Sequence, residues 1–163
     1  MENGDLTTAN VDMIVQQNNC IMHKPHGLSD QISRKLGVNP YAGRSKVDKY
    51  NEPGSVSIYL SNKTRPKYVA CLFAQFGPSK PETYYKNINK KYNVDDSFEN
   101  REKWFYQSLC CLSVLKNNDV KTIAFPYLIG CGLAGGNWNH YHQIIVNWSN
   151  SLKEIKVIYY KIS

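Results

Sequence analysis

Four glycines fall within seven residues in the run Ile129-Gly130-Cys131-Gly132-Leu133-Ala134-Gly135-Gly136. The run follows Thr122-Ile123-Ala124-Phe125, a buried-strand pattern closed by Pro126. It precedes a helical pattern with Tyr141, Ile144, Ile145 and Trp148 on one side, so the glycine-rich loop is expected between Tyr127 and Asn139. A strand that feeds a glycine-rich loop and then a helix belongs to α/β architecture. Such a loop lets backbone N–H groups turn inward around an anion, and the helix N-terminus adds a favourable dipole. The same glycines also suit a tight packing turn. The spacing is not the dinucleotide fingerprint G-x-G-x-x-G in a first βα turn, and no Gly-Lys-Ser/Thr follows as in a nucleoside-triphosphatase loop.

The rest of the chain continues the alternation. Val11-Asp12-Met13-Ile14-Val15 reads as a buried parallel strand that delivers the polar cluster Gln16-Gln17-Asn18-Asn19 to a site. Leu28, Ile32 and Leu36 recur at helical spacing, with Gly37 as the stop. A long loop over 38–54 leads to two strands, Val56–Leu60 and Tyr68–Phe73, joined by a hairpin-length connection. The segment from Gly77 to about Val94 is a polar excursion with a short helix. Ser97 is placed to cap the longest helix, whose core face is Trp104, Phe105, Leu109, Leu112 and Leu115, and Asn117-Asn118 ends it. Ile155–Ile162 is the closing strand. The expectation is one three-layer α/β/α domain over residues 1–163, with no internal repeat.

Composition narrows the function classes. The formal charge is +7, but sixteen of the twenty basic residues are Lys and four are Arg (Arg34, Arg44, Arg65, Arg101). Bidentate reading of phosphates and base edges favours Arg, which argues against nucleic acid as the principal partner. Five cysteines with no C-x-x-C pair point to a reducing, intracellular and cytoplasmic setting rather than to a disulfide framework or a zinc site. No basic segment followed by an apolar run opens the chain. The stretch Thr122 to Leu152 lacks Asp, Glu, Lys and Arg, yet Pro126 and the glycines break it, so a membrane span is not expected.

Two constellations carry chemistry. The glycine loop is one. The other is the amide cluster 16–19 leading to His23 and His26: an amide both donates and accepts, which suits ribose hydroxyls, and a histidine titrates near neutral pH. Each histidine equally fits an exposed loop position. His140 and His142 lie two apart on a helix, without metal-ligand partners, and read as surface or packing residues. No metal site, Gly-x-Ser-x-Gly, His-Glu-x-x-His or clustered carboxylate pair is present.

Taken in order, Gly4-Asp5-Leu6-Thr7, Val11–Val15 with Asn18-Asn19-Cys20, Cys71-Leu72-Phe73-Ala74-Gln75 and the loop Pro126 to Trp138 resemble the macrodomain family. The likeness is to the branch of ADP-ribose-1''-phosphate phosphatases and small single-domain ADP-ribosyl hydrolases. It implies a mixed, mostly parallel sheet of about six strands, with ADP-ribose crossing the C-terminal strand ends and no further cofactor. By this resemblance Asp5 accepts from the adenine amino group, with Leu6 beside it, and Asn19 holds the distal ribose. Residues 23–28, including Gly27, form a first loop, and Ile129, Gly130, Cys131, Gly132, Leu133, Ala134, Gly135 and Gly136 cradle the diphosphate, with Asn137 following.

The departures are specific. Gln16 and Asn137 stand where the phosphatases carry a catalytic His and Asp, and Tyr59 stands where the deglycosylase relatives carry a lysine. An amide is no general base, so hydrolysis of a 1''-phosphate or ADP-ribosyl linkage would fall to His23, or else to His26. The other readings are a non-catalytic ADP-ribose-binding module, whose partner is ADP-ribosylated protein, and a relative turned to another NAD-derived nucleotide or to RNA ends.

Overall fold

The computed structural model describes residues 1–42, 50–81 and 91–161. Its strands are β1 (Glu2–Asn3), β2 (Met13–Asn19), β3 (Ser55–Leu60), β4 (Tyr68–Gln75), β5 (Thr122–Pro126) and β6 (Lys156–Lys161). Its helices are α1 (Leu28–Leu36), α2 (Phe98–Leu115) and α3 (Trp138–Asn150), with a 3-10 turn at Leu6–Thr8. One sheet holds all six strands in the order β1-β6-β5-β2-β4-β3. Every neighbouring pair is parallel except the β3–β4 hairpin. This is the expected three-layer architecture.

The side chains of β4 show why the sheet lies between two helical layers. All eight residues from Tyr68 to Gln75 are buried. Tyr68, Ala70, Leu72 and Ala74 join Met13 and Val15 in a core with Phe105, Leu109 and Leu112 of α2 and Ile145 and Trp148 of α3. Val69, Cys71 and Phe73 join Ile14 in a second core with Ile32 and Leu36 of α1. Successive strand residues point to opposite faces, so a strand apolar at every position from Val69 to Ala74 needs cover on both.

Local signals set most boundaries. Gly37 ends α1 in the left-handed region (φ 73°), its N–H bonded to the Ser33 carbonyl. Ser97 accepts from the Asn100 N–H at the start of α2. The differences from expectation are tertiary in origin. β2 runs on through the amide cluster to Asn19, because β4 continues to Gln75 and offers it a parallel partner. β1 is too short and polar to be seen by pattern, and β6 recruits it by pairing Glu2 with Tyr160. On α2, Leu115 is exposed while Arg101 is buried, the reverse of what hydropathy implies. The final strand ends at Lys161 in the described residues. The expectation of a short helix within 77–94 concerns a segment of which residues 82–90 lie outside the described residues, as does Ile162.

Chain order places the site. From β2 the sheet grows one way to β4 and the other way to β5 and β6, so the topology reverses beside β2. A crevice is expected at the C-terminal ends of strands at such a reversal. Those ends carry Gln16–Asn19, Gln75 and Pro126.

Candidate functional site

Three adjoining cavities of about 390, 400 and 360 Å³ occupy that crevice and share walls. The first has a floor of amides: Gln16, Gln17, Asn19 and Gln75, with Lys24, His26 and Tyr41 around it. The second runs along the glycine loop, past Ile129, Gly130, Gly132, Leu133 and Ala134, with His26 and Gly27 opposite. The third is an apolar slot between Leu6, Leu28, Pro126, Tyr127, Leu128 and Tyr160, with Lys161 at its wall. Leu28 borders all three, so they form one groove. Its described lining contains cations but no carboxylate.

The floor is polar and incompletely satisfied. Gln17 donates from Nε2 to Gln75 Oε1 at 2.8 Å, and Gln75 donates to the Gly77 carbonyl at 3.0 Å. Gln16 donates to the Cys71 sulfur at 3.3 Å, and Asn18 donates to the Tyr41 hydroxyl at 3.0 Å. Burial pushes the Cys71 thiol up to about 12, so it stays protonated. The side-chain oxygens of Gln16, Gln17 and Asn18 have no partner among the described residues, although Gln16 and Asn18 are each 1% exposed. Buried acceptors without donors are uncommon; those of Gln16 and Gln17 border the groove, where they mark places for a ligand's hydroxyls, whereas Asn18 lines none of the three cavities. Asn19 shapes the turn that follows β2: its Oδ1 accepts from the N–H groups of Ile21 and Met22.

The glycine loop divides into two functions. The N–H groups of Ile129, Cys131, Gly135 and Gly136 close the loop on itself, bonding to Pro126, Leu128, Gly132 and Gly130 carbonyls. Those of Gly132, Leu133 and Ala134 make no hydrogen bond among the described residues. A Cβ on Gly136 would stand 2.5 Å from the Gly130 carbonyl oxygen, so that glycine serves close packing. A Cβ on Gly132 would meet nothing within 4 Å. Gly135 lies against the Lys80 side chain, and half-buried Cys131 is raised to about 11 by burial and the nearby Glu102 charge. Asn137 caps α3, its side chain accepting from the His140 N–H.

Both candidate histidines are exposed; His26 borders the groove, whereas His23 lines none of the three cavities. The backbone of His26 is fixed by reciprocal bonds: its main-chain N–H donates to Ser29 Oγ at 2.9 Å, and the Ser29 hydroxyl donates back to its carbonyl at 2.8 Å. Gly27 follows as the N-cap of α1. Asp5 caps the 3-10 turn. Its Oδ1 accepts from the Thr7 N–H and hydroxyl, and its Oδ2 accepts from Lys35 at 2.7 Å. Lys35 above all holds its carboxyl down to about 2. Asp5 lines none of the three cavities, although Leu6 beside it does. His140 meets Glu102 at 3.0 Å and His142 stacks on Trp138, both away from the groove lining.

Sequence reasoning missed the residue that joins the groove walls. Arg101, 1% exposed, makes a bidentate pair with Asp96 at 2.6 and 2.7 Å. Its remaining donors reach the carbonyls of Ser79 (2.6 Å), Gly77 (3.1 Å) and Ala134 (3.4 Å). Ser79 and Ala134 face the same cavity, so one guanidinium spaces both walls. The signal available was an Arg at a core-facing helical position, five residues after an Asp.

No family model and no curated protein matches the chain. Solved structures do. The macrodomain of Mycobacterium tuberculosis DarG superposes with a TM-score of 0.68 at 17% identity, over 98% of this chain and 95% of that one. The macrodomain of Thermus aquaticus DarG gives 0.63 at 19% identity, over 99% and 95%. A Trypanosoma brucei macrodomain in complex with ADP gives 0.62 at 13% identity, over 98% and 61%. The chain has the macrodomain fold.

Proposed function

We propose that the groove binds ADP-ribose or a close derivative, free or attached to a protein. The base lies in the apolar slot, the diphosphate on the N–H groups of Gly132, Leu133 and Ala134, and the distal ribose over Gln16, Gln17, Asn19 and Gln75. The observation that carries this reading is the sequence of chemistries along one groove: an apolar aromatic-walled slot, then backbone amides and then side-chain acceptors that have no partner among the described residues, flanked by Lys24 and His26. A base, a diphosphate and a polyol need those surroundings in that order. Among the described residues no carboxylate lines the groove, which favours an anionic ligand. A solved structure of the same fold, from Trypanosoma brucei, is in complex with ADP.

Gly132→Val tests the phosphate seat. A Cβ there meets no protein atom within 4 Å, so the domain should fold normally while ADP-ribose affinity drops by roughly tenfold or more, about 1.4 kcal/mol. Equal affinity in calorimetry would remove the loop from ligand binding. Hydrolysis of a 1''-phosphate or ADP-ribosyl linkage rests on His26, the histidine that the groove holds. His26→Ala should then cut turnover by roughly 10²–10⁴-fold with affinity nearly kept. A second reading, a binding module without catalysis, is favoured by the amides at Gln16 and Asn137, which take up no proton. Wild-type protein that releases neither phosphate nor ADP-ribose from such substrates would decide for it.

A further inference from the structure

The two edges of the sheet are built differently. At one, β1 has two residues, and β6 beside it exposes Lys156 and Lys161. Short strands and lysines keep an edge from pairing with another chain. At the other, β3 runs from Ser55 to Leu60 with no charge, no proline and no shift in its pairing with β4. The Ser61 N–H bonds to the Lys67 carbonyl at 2.8 Å. Alternation along an antiparallel pair then turns the backbone groups of Ser55, Ser57 and Tyr59 towards β4. Those of Val56, Ile58 and Leu60 point outward, where no described strand follows.

An exposed flank of α2 lies beside this edge. The helix packs on both β3 and β4. Its Gln107 side chain lies against Gly54, at the start of β3. Asn117, just past the helix end, donates to the Tyr68 hydroxyl at 2.6 Å, and Tyr68 pairs with Leu60. The helix therefore runs along β3 in the same direction. Gln107, Cys111 and Leu115 repeat at i, i+4 and i+8 and so share the flank above this edge, while Glu102 on the opposite flank meets His140 of α3. Leu60 is 66% exposed, Leu115 is 59% exposed, and Cys111 is exposed as well.

We propose that β3 and this flank of α2 bind a second copy of the chain about a two-fold axis normal to the sheet, with the two β3 strands antiparallel. Helices seated over β3 and β4 would then lie two strand spacings apart, roughly 10 Å, the distance at which helices pack. A second copy thus closes the strand layer and the helix layer together, which an extended peptide cannot do. The antiparallel sense also brings Glu52, before one strand, towards Lys63, after the other, so that opposite charges meet at each end. This inference is independent of the nucleotide reading.

Sedimentation of the whole chain provides the test. At about 100 µM the wild type should be a dimer. Leu60→Lys and Leu115→Lys alter exposed side chains and should keep the wild-type circular dichroism, yet each should weaken the dimer by about tenfold or more. Tyr106→Lys, at a comparably exposed position on the opposite flank of α2, should leave the dimer unchanged. A wild type that is monomeric at that concentration, or a dimer indifferent to Leu60→Lys and Leu115→Lys, would overturn the inference. So would a loss in Tyr106→Lys as large as theirs.

Discussion

The two ends of the same central strands treat their polar groups in opposite ways. Just before β2, Asp12 is saturated: Arg65 Nη1 at 2.7 Å, the N–H groups of Lys121 and Thr122 at 2.8 and 3.0 Å, and the Thr122 hydroxyl at 3.2 Å. Burial pushes its carboxyl up, but these donors outweigh burial and lower it. At the far end, Gln16, Gln17 and Asn18 each leave an oxygen without a donor among the described residues. One end is closed by its own hydrogen bonds, and the other is left with capacity to spare. A fold can tolerate unsatisfied acceptors where something from outside is meant to meet them. The exception at the groove end is Arg101, whose pair with Asp96 is buried and fully engaged, and it holds the walls on either side of the unsatisfied floor.

Arg101→Met offers the sharpest break, since it strands the Asp96 charge in the interior. Unfolding by denaturant should show a loss of about 3–5 kcal/mol, with ADP-ribose binding lost as the walls separate. A loss under about 1 kcal/mol would mean that the groove end does not depend on the pair.

Asp12→Ala, at the closed end, should destabilise by about 1–3 kcal/mol and leave ADP-ribose affinity as it was. Because the folded state lowers the Asp12 pKa, this contribution is present above about pH 4 and is lost as the pH falls below it. The wild type should therefore lose stability in acid faster than the variant. Parallel acid-unfolding curves for the two would show that Asp12 is not the group responsible.

Gln16→Met should have the smallest effect on stability, within about 1 kcal/mol and of either sign, since it removes a donor–sulfur contact and an orphaned acceptor together. ADP-ribose affinity should nevertheless fall. A variant as stable and as tightly binding as the wild type would erase the contrast between the two ends.

Much of the frame was legible in the residues. Leu28, Ile32, Leu36 and Gly37 spell a helix and its stop, Ser97 announces α2, and the doubly apolar run in β4 requires helices on both sides. The glycine loop could be placed because its flanking strand and helix have their own periodicities. Arg101 was not legible as a core residue, because its burial depends on Asp96 and on three carbonyls, at Gly77, Ser79 and Ala134. Nor does spacing say which glycine of the loop packs and which stays open.

By itself, then, the sequence determined the longer elements and their order, though not β1, since these follow from periodicities and caps a few residues long. The tertiary structure alone decided that His26 and not His23 meets the groove, that Lys35 occupies Asp5, and that Gly136 is bound by packing while Gly132 is open. Those outcomes turn on distances between segments far apart in the chain, and a local pattern carries no information about what a distant segment will bring against it.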